Sequence, residues 1–266
     1  TDLCPVDLGS YSSRVTFMAG NAAIDAADKL RARIATTAAI ALDTDPDALR
    51  FRDGSISGSM RSLPWIEAVR LAEAATGTLG ASGSYRPPKA GKAFRRNPIG
   101  PSPAYSFTAA AAEVQVDTES GIVVVDRVWC AHDLGRVIHP EIAEGQIEGC
   151  VYMGVGEALL EEQQYDGGQM RTPSILEYRI PTVYDTPIID AILVESHDPG
   201  GPYGAKEVGE GPQLPIVPAI ANAIFDAVGV RMDHPPFSPD KVLRALQGRA
   251  PLGVLPLPPD APTRRE

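Results

Sequence analysis

Between Pro199 and Pro212, fourteen residues contain five glycines and three prolines, shortly after the strand-like run Ile188–Glu195. Neither helix nor strand accommodates that mixture, because glycine raises the entropy cost of a regular element while proline fixes φ and lacks a donor. The segment has to be a shaped loop, leading from a buried strand into a helix predicted over Leu214–Val228 and closed by Gly229. A second segment is costly in the same way: Gly145, Gly149, Gly154 and Gly156 fall inside a helix predicted over Ile142–Glu162, and each interior glycine costs about 1 kcal/mol relative to alanine. At about 100° per residue, Gly145, Gly149 and Gly156 form a stripe without side chains. Tight packing of helix on sheet explains such a stripe, and so does a flat ligand. Gln146 stands beside it, with an amide able to read the edge of a heterocycle.

The other periodicities alternate helices with short strands. Apolar spacing through Ile24, Leu30, Ile34 and Ala38 predicts a helix over Ala22–Leu42 with Asn21 as N-cap. Asp53-Gly54 turns between short strands at 49–52 and 55–57, and a second helix is expected with Ser62 as cap, Pro64 in its first turn and Gly77 as its stop. Residues 78–106 read as a long loop. Glu113–Asp117 and Ile122–Trp129 flank a turn at Thr118–Gly121 and predict a β-hairpin. A short helix near Ser238–Leu246 precedes a Pro-rich tail, 251–266, expected to be disordered or draped. The expected fold is α+β, mixed sheets with covering helices, in subregions of about 1–90 and 100–250 joined by a basic Gly/Pro loop.

Charge and cysteine usage narrow the partners. With 24 Lys and Arg against 34 Asp and Glu, the net charge of −10 disfavours nucleic acid. Cys4, Cys130 and Cys150 are odd in number and lack Cys-x-x-Cys spacing, which argues against a disulfide framework or zinc ribbon and for a reduced, cytoplasmic protein. No apolar run approaches the ~18 residues of a membrane span. The chain opens at Thr1, in what reads as the middle of a loop, and is expected to be part of a longer subunit, inactive alone.

Besides the glycine-bearing helix, two segments carry candidate chemistry. Lys206 and Gly204 suggest a phosphate loop only superficially, since Glu207 replaces the Ser or Thr that would hold magnesium. What remains is a carboxylate pair, Glu207 and Glu210, on a loop entering a helix, where orphan N–H groups orient a carboxylate. Glu210 is a candidate general base; a helix cap is the plain alternative. Gly9–Arg14 offers small side chains, free N–H groups and a guanidinium ahead of the first helix, the chemistry of an anion site. His132, Asp133 and His139 fit no metal-ligand spacing, and core positions are the expectation for them.

The runs Gly9–Ala23, Asp133–Gly149 and Gly204–Pro212, followed by Ala219–Ile224, occur in an order that resembles the C-terminal part of the molybdopterin-binding subunit of the xanthine oxidase family, the molybdenum hydroxylases. Within it, Pro5–Arg14 and Ser102–Phe107 are most similar to the large subunit of 4-hydroxybenzoyl-CoA reductase. The resemblance implies that Glu210 is the active-site base beside molybdenum, that Gln146 bonds the pterin with Gly145 and Gly149 beside it, and that Ser12, Ser13 and Arg14 hold its phosphate. It implies molybdopterin, in its cytosine dinucleotide form, with molybdenum held through the pterin and by no protein ligand. It further implies iron–sulfur clusters and FAD on partner subunits or domains, the remainder of the large subunit as a partner, and a dimer of heterotrimers. The reaction it implies is reductive removal of a phenolic hydroxyl to give benzoyl-CoA, or hydroxylation of an aldehyde, a purine or another N-heterocycle. His139 departs from an Asn common in the family and takes no role. A non-catalytic assembly domain and a metal-free binding module are the alternatives from other classes.

Arg86, Lys89, Lys92, Arg95 and Arg96 place five positive charges in eleven residues without an acid. A solvated loop is the plain explanation, and phosphates of an acyl-CoA substrate the functional one. Charge reversal at Lys92 and Arg95 in the complete enzyme is expected to raise KM for an acyl-CoA, less so at high salt; an unchanged KM rejects the substrate role.

Overall fold

The computed structural model describes residues 9–87 and 103–249. Lys89, Lys92, Arg95, Arg96 and the tail 251–266 lie outside the described residues. Two compact units divide the chain: Thr1–Tyr105 with His197–Lys206, and Ser106–Ser196 with Glu207–Glu266.

In the first unit, α1 (Val15–Leu42) begins earlier than the apolar spacing predicts. Asn21 does not cap it: its Nδ2 donates to the carbonyls of Phe17 at 2.9 Å and Gly200 at 3.0 Å. Gly20 does not break the helix either. It makes room for Pro202, whose Cγ would lie 2.7 Å from a Cβ there. Antiparallel strands β1 (Arg50–Arg52), β2 (Ser55–Ser57) and β3 (Ser62–Pro64) form a small sheet. Ser62 is therefore in a strand rather than a cap, and α2 (Trp65–Thr76) follows directly, stopped by Gly77 as expected. Ile34, Ala38, Ile56, Ala68 and Ala72 build the core of this unit. Residues 78–87 have no regular structure yet are strapped along α1. Arg33 bonds the Gly80 carbonyl at 2.6 Å, Lys29 the Ser82 carbonyl at 3.2 Å, and the Ser84 amide the Asp25 carboxylate at 2.8 Å. Those last two residues, Lys29 before Ser84, hold the Asp25 carboxyl below the usual range.

The second unit contains the predicted hairpin, extended at the ends away from its turn: β4 (Thr108–Val116) and β5 (Val123–Asp133), with a bulge between Glu113 and Val114. Helix α3 (Pro140–Leu159) follows, then the small strands β6 (Tyr165–Asp166) and β7 (Gln169–Met170), and α4 (Ile175–Tyr178). Strand β8 (Ile188–Val194) pairs parallel to β5, giving the order β4-β5-β8. A parallel pairing needs a crossover, and the stretch containing α3 supplies it. Helices α5 (Ile216–Val228) and α6 (Pro239–Leu246) complete the unit. Val128 and Cys130 of β5, Ile147 and Val151 of α3, and Ile216, Ile220 and Ile224 of α5 form its core.

The glycines of α3 serve different ends. A Cβ on Gly154 would lie 2.5 Å from Cβ of Ile216, so the close approach of α3 to the start of α5 requires glycine there. Gly156 is covered by Pro181 and does not belong to an open stripe, contrary to the reading from helical angles. Only Gly145 and Gly149 face open space. Gly154→Ala is accordingly expected to destabilise by about 1–3 kcal/mol through overpacking, and Gly145→Ala to stabilise by up to about 1 kcal/mol, both measured by denaturant unfolding. Equal effects would reject this division.

Candidate active site

The loop carrying Glu207 and Glu210 is fixed by its backbone rather than by its side chains. Period-two alternation on β5 turns Val128, Cys130 and His132 inward, and all three are fully buried. The Cys130 thiol donates to the Pro212 carbonyl at 3.8 Å. From α3, the Cys150 thiol donates to the Gly209 carbonyl at 3.2 Å. His132 Nε2 lies 3.0 Å from the Glu207 carbonyl and its Nδ1 2.7 Å from Thr108 Oγ1, the residue opposite it in the β4–β5 register. A carbonyl only accepts, so Nε2 carries a proton and donates to Glu207, while Nδ1 shares a hydrogen bond with the Thr108 hydroxyl. Gly211 packs on this ring; a Cβ there would lie 2.7 Å from His132 Cε1.

Glu210 stands between these anchors. It precedes the single turn Gly211–Gln213, makes no side-chain cap there, and is exposed. The reading of Glu210 as a helix cap is therefore not what the geometry shows. Glu207 is half-buried: its Oε1 is 3.8 Å from His132 Nε2, and its Oε2 is buried with no hydrogen-bond partner among the described residues. Burial, and then the neighbouring Cys150, push the Cys130 thiol up to about 11. The Cys150 thiol is raised by burial against the Gln213 amide, with Glu207 and Glu210 adding to the rise. Both thiols therefore keep their protons and remain donors.

Along α3, the glycine-lined face stands next to Cys150. Gly145 has nothing above it, and neither has Gly149, the residue preceding Cys150; Gln146 is exposed beside them. His139 caps α3, its Nδ1 accepting from the Ile142 amide at 3.4 Å, a role the departure from Asn left unassigned. Among the described residues no His, Cys, Asp or Glu cluster could hold a metal ion. The bare face at Gly145 and Gly149, with the exposed Gln146 amide beside it, leaves room for a flat group held by hydrogen bonds.

In the first unit, Ser12 and Ser13 adopt the left-handed conformation consecutively, with φ of 52° and 49°. Neither is glycine, and each such residue costs on the order of 1–3 kcal/mol. They end at Arg14, which begins α1 and lies 4.7 Å over the Tyr11 ring. Strained backbone at the start of a long helix, with hydroxyls and a guanidinium, suits an anion.

A family model described as a molybdopterin cofactor-binding domain matches residues 1–187. The chain belongs to that family. The putative xanthine dehydrogenase molybdenum-binding subunit of Escherichia coli K12 is 31% identical over 247 residues, 91% of this chain and 32% of that protein. The probable hypoxanthine oxidase of the same organism is 34% identical over 252 residues, 93% of this chain and 25% of that protein. Quinoline 2-oxidoreductase from Pseudomonas putida 86 shares the fold with a TM-score of 0.80 at 26% identity, covering 94% of this chain and 32% of that one. This molybdopterin-binding chain therefore spans about a third or less of the relatives it matches, and the α+β expectation holds. No described helix is long and apolar enough to cross a membrane.

The buried clamp of Cys130, Cys150 and His132 was missed by motif reading, although the alternation on β5 carries it. With the Cys130 pKa near 11, its thiolate is scarce below that pH, so the native thiol is expected to resist iodoacetamide at pH 8 and to react once denaturant is added. Rapid native labelling, followed by peptide mass spectrometry, would refute the burial.

Proposed function

We propose that the chain forms part of the molybdenum-cofactor-binding catalytic subunit of a hydroxylase of the xanthine oxidase family, acting on an electron-poor carbon of an N-heterocycle or aldehyde, with Glu210 as base. The observation that carries this reading is an exposed carboxylate on a loop pinned at the carbonyls before and after it, close to a helix face bare at Gly145 and Gly149. The bound molybdenum cofactor supplies the redox chemistry. Gln146 presents its amide to the pterin edge, and Gly145 and Gly149 leave the backbone free of side chains for it. In the first unit, Ser12, Ser13 and Arg14 bind the phosphate of the cofactor. Glu210 takes a proton from the attacking oxygen, and its fixed loop spares reorganisation as it does so.

The cytosine dinucleotide form of the cofactor, iron–sulfur and FAD subunits as electron carriers, and a cytoplasmic dimer of heterotrimers complete the proposal. The relatives' names, a xanthine dehydrogenase subunit, a hypoxanthine oxidase and a quinoline oxidoreductase, support N-heterocycles first. The reductase reading on 4-hydroxybenzoyl-CoA rests on the runs Pro5–Arg14 and Ser102–Phe107 alone, and the relatives favour hydroxylation over it.

Glu210→Gln in the complete assembled enzyme is expected to lower kcat by roughly 10²- to 10⁴-fold with molybdenum and pterin content unchanged. Turnover that ignores the substitution would remove the base, and with it favour an assembly domain.

A further inference from the structure

We propose that His132 is the positioning residue for the Glu210 loop, its Nε2–H and its ring edge gripping the chain on both sides of the carboxylate. This rests on the reading of Glu210 as base. On one side, Nε2 meets the Glu207 carbonyl at 3.0 Å; on the other, the ring lies where any side chain on residue 211 would go, 2.7 Å from a Cβ there. Five residues of loop, Glu207 to Gly211, are thus held by one planar side chain, and Glu210 is the exposed residue among them. The ring itself cannot turn over without loss. A flip would aim Nδ1 away from Thr108 Oγ1, now 2.7 Å distant, and strand two buried polar groups. Thr108 reaches the ring because β4 pairs Thr108 directly with His132.

The clamp has independent support from the two thiols. Cys150 holds the Gly209 carbonyl and Cys130 the Pro212 carbonyl, so the three buried donors fall on residues 207, 209 and 212 and none on Glu210. A buried imidazole N–H needs an acceptor in any role; here that acceptor lies on the loop that carries Glu210. A positioned base needs its backbone fixed to within about 0.5 Å.

Three variants of the molybdenum-loaded complete enzyme, with the metal-free protein as a second sample, test the assignment. His132→Phe keeps a planar ring without nitrogens, His132→Gln keeps an N–H that can reach the Glu207 carbonyl, and Thr108→Val removes only the hydroxyl. For H132F we expect amide deuterium exchange at Val208–Gly211 to rise roughly tenfold in the metal-free protein, with the centres of β4 and β5 unaltered. We expect kcat to fall by roughly ten- to a hundredfold, with KM within about twofold of the parent and molybdenum content unchanged. H132Q is expected to recover most of both effects, and T108V to move both in the direction of H132F by less. Unaltered loop exchange and kcat in H132F would overturn the proposal. So would equal losses in H132F and H132Q with exchange raised throughout β4 and β5, which would make His132 a packing residue. If H132F does not fold, T108V decides: exchange raised in the loop alone supports the proposal, and an unchanged loop refutes it. Glu210→Gln assayed in parallel separates the two readings. If that variant turns over normally while H132F loosens the loop, the base is wrong; if it is inactive and H132F leaves the loop rigid, the positioning is wrong.

Discussion

A backbone carbonyl that leaves water must find a donor, and a loop made largely of glycine and proline has few amides placed to supply one. In the second unit that demand is met from outside the loop. Glu207, Gly209 and Pro212 accept from a histidine and two thiols that belong to β5 and α3. The donors sit on elements whose own geometry is settled by strand pairing and helix packing, so the irregular segment inherits their order. Cysteine is a weak donor, yet it suits this place: it is small enough for the core, and burial keeps its proton on.

The division of labour along the loop follows. Residues whose carbonyls point inward are anchored; the carboxylate that the proposed chemistry uses points to solvent. A base placed by its main chain keeps both carboxylate oxygens available, whereas one placed through its own side chain would spend one of them on the placement. Glu207, half-enclosed and lying against His132, contrasts with Glu210 although the two are three residues apart. Environment, not residue type, separates them.

Much of this was legible in the sequence. The hairpin, the strand after Thr186, α5 with its closing Gly229 and the α+β class follow from periodicity and turn residues, because those signals are local; the parallel pairing of β8 with β5 does not. The errors share a cause that is not local. Gly20 and Asn21 look like the start of a helix, but Gly20 accommodates Pro202 and Asn21 bonds Gly200, both distant in the chain. Gly156 looks like part of a stripe until Pro181 covers it. The clamp at His132, Cys130 and Cys150 needs the β4–β5 register and the placement of α3 together, and no single motif contains both. Family resemblance named Glu210, but only the folded chain shows what holds it.

The bare helix face at Gly145 has a consequence for how such a protein can change. Alanine there meets nothing in the folded chain and relieves the cost of an interior glycine. A lineage or laboratory library selected for heat tolerance alone would fill this notch early. One selected for turnover would keep it empty if a flat cofactor rests there. The two pressures then pull a single position in opposite directions.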